Sequence, residues 1–153
     1  MYSNQSENAI YNGSRINVNG SRIEGDYRWR WSDYEDAYLF EEECCYVEKE
    51  DDYRLLGDCE EDIDGNYQLR NDCVYSWYHN GFIHEDNAVW SGVVNTYLDR
   101  SRDAKCPECG EWYPGDYDGE CYSDITGEYY CSEECDDKAE AEYRKQHALV
   151  VVA

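Results

Sequence analysis

The sequence predicts a mainly β protein, with consecutive short β-hairpin repeats of about 15 residues followed by a compact four-cysteine module that ends in a helix. Three observations carry that prediction. Aromatic residues recur at Tyr38, Tyr53, Tyr67, Phe82 and Tyr97, at intervals of 15, 14, 15 and 15 residues. The apolar content is unusual in kind, with 17 Tyr and 5 Trp against 2 Phe and 1 Met, and Tyr and Trp favour strands over long helices. Beyond residue 105, two cysteine pairs stand at spacings that let thiolates converge on one metal ion.

Taken in order, residues 1–25 read as an N-terminal arm or strand. They hold Gly13, Gly20 and Gly25 among many Asn and Ser, and Ile16 and Val18 allow one strand at most. Residues 26–105 form the acidic, aromatic-rich repeat region. Each unit runs aromatic-x-apolar, then an acidic or amide turn, then a second short apolar stretch, as in Tyr53-Arg54-Leu55-Leu56-Gly57-Asp58-Cys59. Such a unit holds two short strands and two tight connections, whereas a βαβ unit needs about 30 residues. The seventh position is Cys44, Cys59, Cys73 and then Ala88, all small, as at a close packing point. Those cysteines therefore read first as core residues and second as a further metal site. Asp64-Gly65-Asn66 and Asn80-Gly81 supply tight turns between strands. Residues 32–43 fit either a strand or a short helix, because Ser32 followed by Glu35 resembles a capping box.

Charge sets the limits on function. The chain carries 36 acidic and 13 basic residues, a formal net charge of −23. Residues 24–64 sum to −13 and residues 106–137 to −11, flanking a nearly neutral middle. Phosphate binding needs a positive face, and Arg15, Arg22, Arg28 and Arg30 make only a small N-terminal group, so no direct nucleic-acid contact is expected. Arg28-Trp29-Arg30-Trp31 fits an edge strand with cation–π contacts, or a base-stacking element. No run approaches the roughly 18 apolar residues of a membrane span, so no membrane partner is expected. Asp62-Ile63-Asp64-Gly65-Asn66 falls short of a full calcium loop. The three histidines, His79, His84 and His147, build no nucleophile–base arrangement by spacing, and no phosphate loop is present, so the chain does not read as an enzyme.

Nine cysteines, an odd number with Cys44 and Cys45 adjacent and no apolar leader, fit a reducing cytoplasmic compartment better than a disulfide framework. The sequons at Asn4, Asn12 and Asn19 then read as turn-rich polar sequence. In the module spanning residues 106–147, Cys106-Pro107-Glu108-Cys109-Gly110 forms a knuckle and Tyr122 to Tyr130 a hairpin about Asp124-Ile125-Thr126-Gly127. Ser132 caps a helix over about 133–147 and places Cys135 at its third position, where amide donors and the helix dipole favour a thiolate. Four thiolates close one tetrahedron and leave no open position, which marks a structural rather than catalytic zinc. Cys121 is an alternate ligand or a packed thiol. The apolar tail, 148–153, is too short to span a bilayer and fits an edge strand, a cover for the helix or a self-association element.

Knuckle, hairpin and helix together resemble the treble-clef family, and Tyr130-Cys131-Ser132-Glu133-Glu134-Cys135 is similar to the Tyr-Cys-Ser-x-x-Cys segment of MYND and HIT-type zinc fingers. The resemblance implies that Cys106, Cys109, Cys131 and Cys135 ligate one structural zinc and that the module serves protein–protein contact. As a whole, the compact, acidic, aromatic-rich chain resembles phage-encoded DNA-mimic inhibitors of restriction or CRISPR systems. That resemblance implies a basic, nucleic-acid-binding protein as partner, in a bacterial host cytoplasm. The candidate partner-binding face comprises Glu41, Glu42, Glu43, Glu48, Glu50, Asp51, Asp52, Glu60, Glu61 and Asp62, with Glu108, Asp116, Asp118 and Glu120 as an extension. The other function class open to the sequence is a zinc-stabilised scaffold, virion or adaptor protein that binds through Tyr, Trp or Leu surface.

Overall fold

The computed structural model describes residues 6–19, 23 and 25–152. Arg22 and the sequence motifs running through residues 1–5 and 20–22 lie outside these, as does Ala153. The chain divides into two compact units, after Cys73.

The first unit opens with a hairpin rather than with the single strand expected there. Strands β1 (Ser6–Tyr11) and β2 (Ser14–Asn19) pair in register from Ser6↔Asn19 to Tyr11↔Ser14. Asn12 and Gly13 turn between them at φ 53° and 80°, the two left-handed residues that a tight hairpin needs. β3 (Trp29–Ser32) and β4 (Ala37–Phe40) form the next hairpin, and β1 adds to β4 in parallel, giving the sheet order β2-β1-β4-β3. This docking buries Ile10 with Ala37 and Leu39. Two-stranded hairpins follow, β5 (Cys44–Val47) with β6 (Asp52–Leu55) and β7 (Cys59–Glu61) with β8 (Tyr67–Leu69).

In the second unit, β9 (Cys73–Ser76) pairs with β10 (Gly81–His84), and β11 (Ala88–Ser91) with β12 (Thr96–Asp99). Two smaller hairpins complete the module, β13 (Ala104–Lys105) with β14 (Trp112–Tyr113) and β15 (Cys121–Tyr122) with β16 (Tyr129–Tyr130). Helix α1 then runs over Glu133–Val152. It continues past 147 through the apolar tail, because no Gly or Pro stands there to stop it. The tail is thus the end of the helix, and Arg144 and Lys145 lie well inside it.

The repeat has a backbone cause. Asp36, Asp51, Gly65, Asn80 and Asn95 end their turns at φ 52°, 50°, 86°, 55° and 57°, and they recur at the same spacing as the aromatic residues. Asp, Asn and Gly are the residues that occupy this left-handed region at least cost. The chain then returns through three-residue 3-10 turns at Glu41–Glu43, Leu56–Asp58 and Arg70–Asp72. Cys44, Cys59, Cys73 and Ala88, the small seventh positions, each open the next strand.

Ser32 settles the ambiguity over residues 32–43 in favour of strands. Its Oγ accepts the Glu35 amide at 3.2 Å, the bond of a capping box, but inside a hairpin turn. Ser76 serves His79 in the same way, and both serines are fully buried. Neighbouring hairpins are tied by side chains that reach back 18 or 19 residues: Asp52 accepts the Asp33 and Tyr34 amides at 2.9 and 3.1 Å, and Thr96 Oγ1 accepts the Trp77 amide at 3.2 Å. Interior positions are small, with Cys45, Val47 and Cys59 forming one cluster, so the large aromatic residues pair across strands on the outer face. Among the described residues no helix is long and apolar enough to cross a membrane.

Candidate functional site

Three local structures bring the four predicted cysteines together. The knuckle joining β13 to β14 carries Cys106 and Cys109, and it closes through Gly110 N–H donating to Cys106 O at 2.9 Å, with Gly110 at φ 76°. Cys131 follows β16 directly. Cys135 sits in the first turn of α1, where Ser132 Oγ accepts its amide at 3.2 Å. The sequence placed Ser132 as the cap, and the structure agrees.

The sulfurs all lie within 4.8 Å of one another, with Cys109 Sγ 3.6 Å from Cys131 Sγ and the latter 3.8 Å from Cys135 Sγ. Zinc–sulfur bonds of about 2.3 Å in a tetrahedron set the sulfurs about 3.8 Å apart, so the set fits one zinc ion. All nine cysteines are free thiols. Burial pushes the Cys106 thiol up, yet hydrogen bonds from the Cys109, Cys131 and Glu108 backbone outweigh that and bring it down to about 7. Desolvation and the neighbouring sulfurs push Cys131 up instead. A divalent cation bound by such sulfurs favours their thiolate forms.

Around the sulfurs, Tyr113 and Tyr130 are buried and Val93, Ala104, Tyr117 and Ala139 pack against the cluster. Tyr113 Oη donates to Glu120 Oε2 at 2.7 Å, and Ser123 Oγ donates to Glu140 Oε2 at 2.7 Å, fastening the β15–β16 hairpin to α1. Cys121 turns its Sγ to Gly119 O at 3.4 Å, and His147 Nδ1 lies 2.9 Å from Tyr143 O, both apart from the cluster. Sequence reasoning missed Asp103, whose buried carboxylate meets His79 Nε2 at 2.7 Å, the Asp99 amide at 2.7 Å and the Gly115 amide at 3.1 Å. No motif marks such a junction, because it joins one amide four residues away to a histidine and a second amide 24 and 12 residues away.

Cys44, Cys45 and Cys73 have thiols pushed up by desolvation to about 11, 12 and 11, and Cys59 is raised for the same reason. They behave as packed thiols. Among the described residues, the single grouping of His, Cys, Asp or Glu with metal-holding geometry is the one at Cys106, Cys109, Cys131 and Cys135.

The ten acidic candidates are placed unequally. Glu42, Glu48 and Glu61 are exposed, on a 3-10 turn, a hairpin turn and a strand end. Glu41 pairs with Arg30 at 3.6 Å, Glu50 with Arg54 at 3.3 Å and Glu60 with Arg70 at 3.0 Å. Glu43 accepts the Asn12 amide at 2.7 Å, Asp51 accepts the Tyr46 hydroxyl, and Asp62 closes its own turn by accepting the Asp64 and Asn66 amides. Asp52 is buried at 8% exposure and faces inward. Desolvation raises its carboxyl, but the Asp33 and Tyr34 amides and Arg54 outweigh this and hold it below the usual range. It is a folding residue rather than part of an outer surface.

No protein-family model matches the chain, and no curated protein and no solved structure matches it either.

Proposed function

We propose that this is a noncatalytic, acidic binding protein whose treble-clef-like end is held by one structural zinc and whose first unit occupies the basic, nucleic-acid-binding surface of another protein. The observation that carries this reading is how the first unit spends its cations. Arg28, Arg30, Arg54 and Arg70 are each paired with a carboxylate of the same unit, at 2.9, 3.6, 3.2 and 3.0 Å. Exposed carboxylates such as Glu42, Glu48 and Glu61 remain on short turns and a strand end. A rigid negative surface attracts a basic groove, speeds encounter and competes with nucleic acid for it. Inhibition of a restriction or CRISPR nuclease is the setting that fits this chemistry best.

A second reading, an adaptor bound through aromatic surface, is favoured by the exposure of Trp77 and Trp90 in the second unit, 58% and 55%. Capture of the native partner from host extract, followed by titration with salt and with duplex DNA or RNA, separates the two. The proposed function requires binding that weakens steeply with salt and is displaced by nucleic acid. Affinity indifferent to both supports the adaptor.

A further inference from the structure

The outer face of the first unit combines two features that the hairpin architecture does not require together. Strands β3 and β4 set Trp31 opposite Tyr38, ring centroids 4.9 Å apart at 75°, and β5 and β6 set Tyr46 opposite Tyr53 at 5.3 Å and 62°. Trp31 and Tyr46 are 37% and 44% exposed. The turn beside each pair is acidic, with Asp33, Glu35 and Asp36 at the first and Glu48, Glu50 and Asp51 at the second. Trp31 Nε1 donates to Asp33 Oδ1 at 2.9 Å and the Tyr46 hydroxyl donates to Asp51, so each exposed ring is already oriented against a carboxylate.

The second unit shows that the acid is dispensable for the fold. Tyr75 with Phe82 and Trp90 with Tyr97 make the same kind of ring pair, at 5.4 and 5.2 Å. Their turns, at residues 77–80 and 92–95, contain no carboxylate. There Asn80 and Asn95 take the left-handed positions, and Asn80 Oδ1 accepts the Tyr75 hydroxyl at 2.9 Å, as Asp51 does for Tyr46. An amide serves the backbone and the ring equally well. Carboxylates beside the first unit's rings are therefore surplus to hairpin formation.

What such a couple binds is displayed within the molecule. The Arg54 guanidinium lies 4.0 Å from the centre of the Tyr34 ring while pairing with Asp52 at 3.2 Å and Glu50 at 3.3 Å. Arg30 lies 5.8 Å from the Tyr53 centroid and 3.6 Å from Glu41. In both, a planar cation takes a ring face and a carboxylate at once. Guanidinium suits this better than ammonium, being flat, weakly hydrated and able to stack while its edge hydrogen-bonds.

We infer that the Trp31–Asp33 and Tyr46–Asp51 couples form a docking face for an arginine-rich segment of the partner protein, each exposed ring taking a guanidinium face and the adjoining turn carboxylates its edge. This rests on the basic-partner function proposed above and narrows it from charge in general to arginine. The test is calorimetric titration of the full chain with oligoarginine and oligolysine peptides of equal length at near-physiological salt. Oligoarginine is expected to bind about tenfold more tightly. Trp31→Leu and Tyr46→Leu should each pull that ratio toward unity, whereas Tyr46→Phe, which keeps the ring, should preserve it.

Equal affinity for the two peptides overturns the arginine face while leaving the basic-partner function standing. Failure of both to bind overturns that function as well. A ratio unmoved in folded Leu variants also contradicts the docking face. The wild-type ratio needs no variant, so the comparison decides even where a substitution unfolds the chain.

Discussion

Asp52 Oδ1 accepts the amide of Asp33 at 2.9 Å, so a carboxylate at the start of one hairpin's return strand locks the turn of the hairpin before it. Its other oxygen takes the Tyr34 amide and the Arg54 guanidinium, at 3.1 and 3.2 Å. The connection is local in space, distant in sequence and buried.

Asp52→Ala should therefore cost about 3 kcal/mol of stability, because it leaves the Asp33 and Tyr34 amides and the largely buried Arg54 without their acceptor. Since the folded carboxyl is held below its ordinary value, the stabilisation is fully present above the unfolded carboxylate pKa of about 4 and is lost as pH falls through the lower folded one. Urea unfolding of wild type and variant at neutral pH, and again at acid pH, should show the difference between them shrinking.

At the left-handed turn positions, backbone rather than side chain decides. Asn95→Gly should shift the melting temperature little, whereas Asn95→Val should destabilise by about 1–2 kcal/mol, since a β-branched residue resists φ near 57°. Thermal denaturation followed by circular dichroism reads both.

At the four-cysteine cluster, Ser132→Ala removes the acceptor of the Cys135 amide and should cost about 1 kcal/mol, and the proposed zinc should then be held roughly fivefold more weakly in competition with a chromogenic chelator. Cys106→Ser should lose the ion altogether, and with it the order of α1.

Charge reversal at Glu42, Glu48 and Glu61, three exposed members of the acidic set, should weaken partner binding by tenfold or more and flatten its salt dependence. The same changes should leave the unfolding midpoint nearly unchanged, because surface substitutions away from buried contacts move stability by about 0.5 kcal/mol or less. Calorimetry against the captured partner checks the first effect and thermal denaturation the second.

Much of this architecture was legible in the chain because its signals are local. The aromatic spacing announced the hairpins, and Asn80-Gly81 and Asp64-Gly65-Asn66 announced turns that close on left-handed residues. The cysteine pairs with Ser132 announced the four-cysteine cluster at the start of α1. Less was legible where one signal served two structures. Ser32 and Glu35 make the same hydrogen bond in a turn that they would make at a helix start. Asn12-Gly13 was a hairpin signal in plain view, but β2 is polar and mostly exposed, and Ala9 and Ile10 of β1 pair with β4, a strand distant in sequence. The acidic run hid its own division of labour: nothing in Asp51-Asp52 reveals that the first carboxylate faces outward and the second inward, until strand alternation is fixed by register.

The proposed zinc, held by Cys106, Cys109, Cys131 and Cys135, would keep the C-terminal module in its folded form. Native mass spectrometry of the chain, purified without chelator and without added metal, tests it most directly. One zinc ion per chain is expected, with all nine cysteines reduced and the helical signal lost when the ion is stripped. A folded chain that carries no metal, or one whose four cysteines are found paired as disulfides, would contradict it.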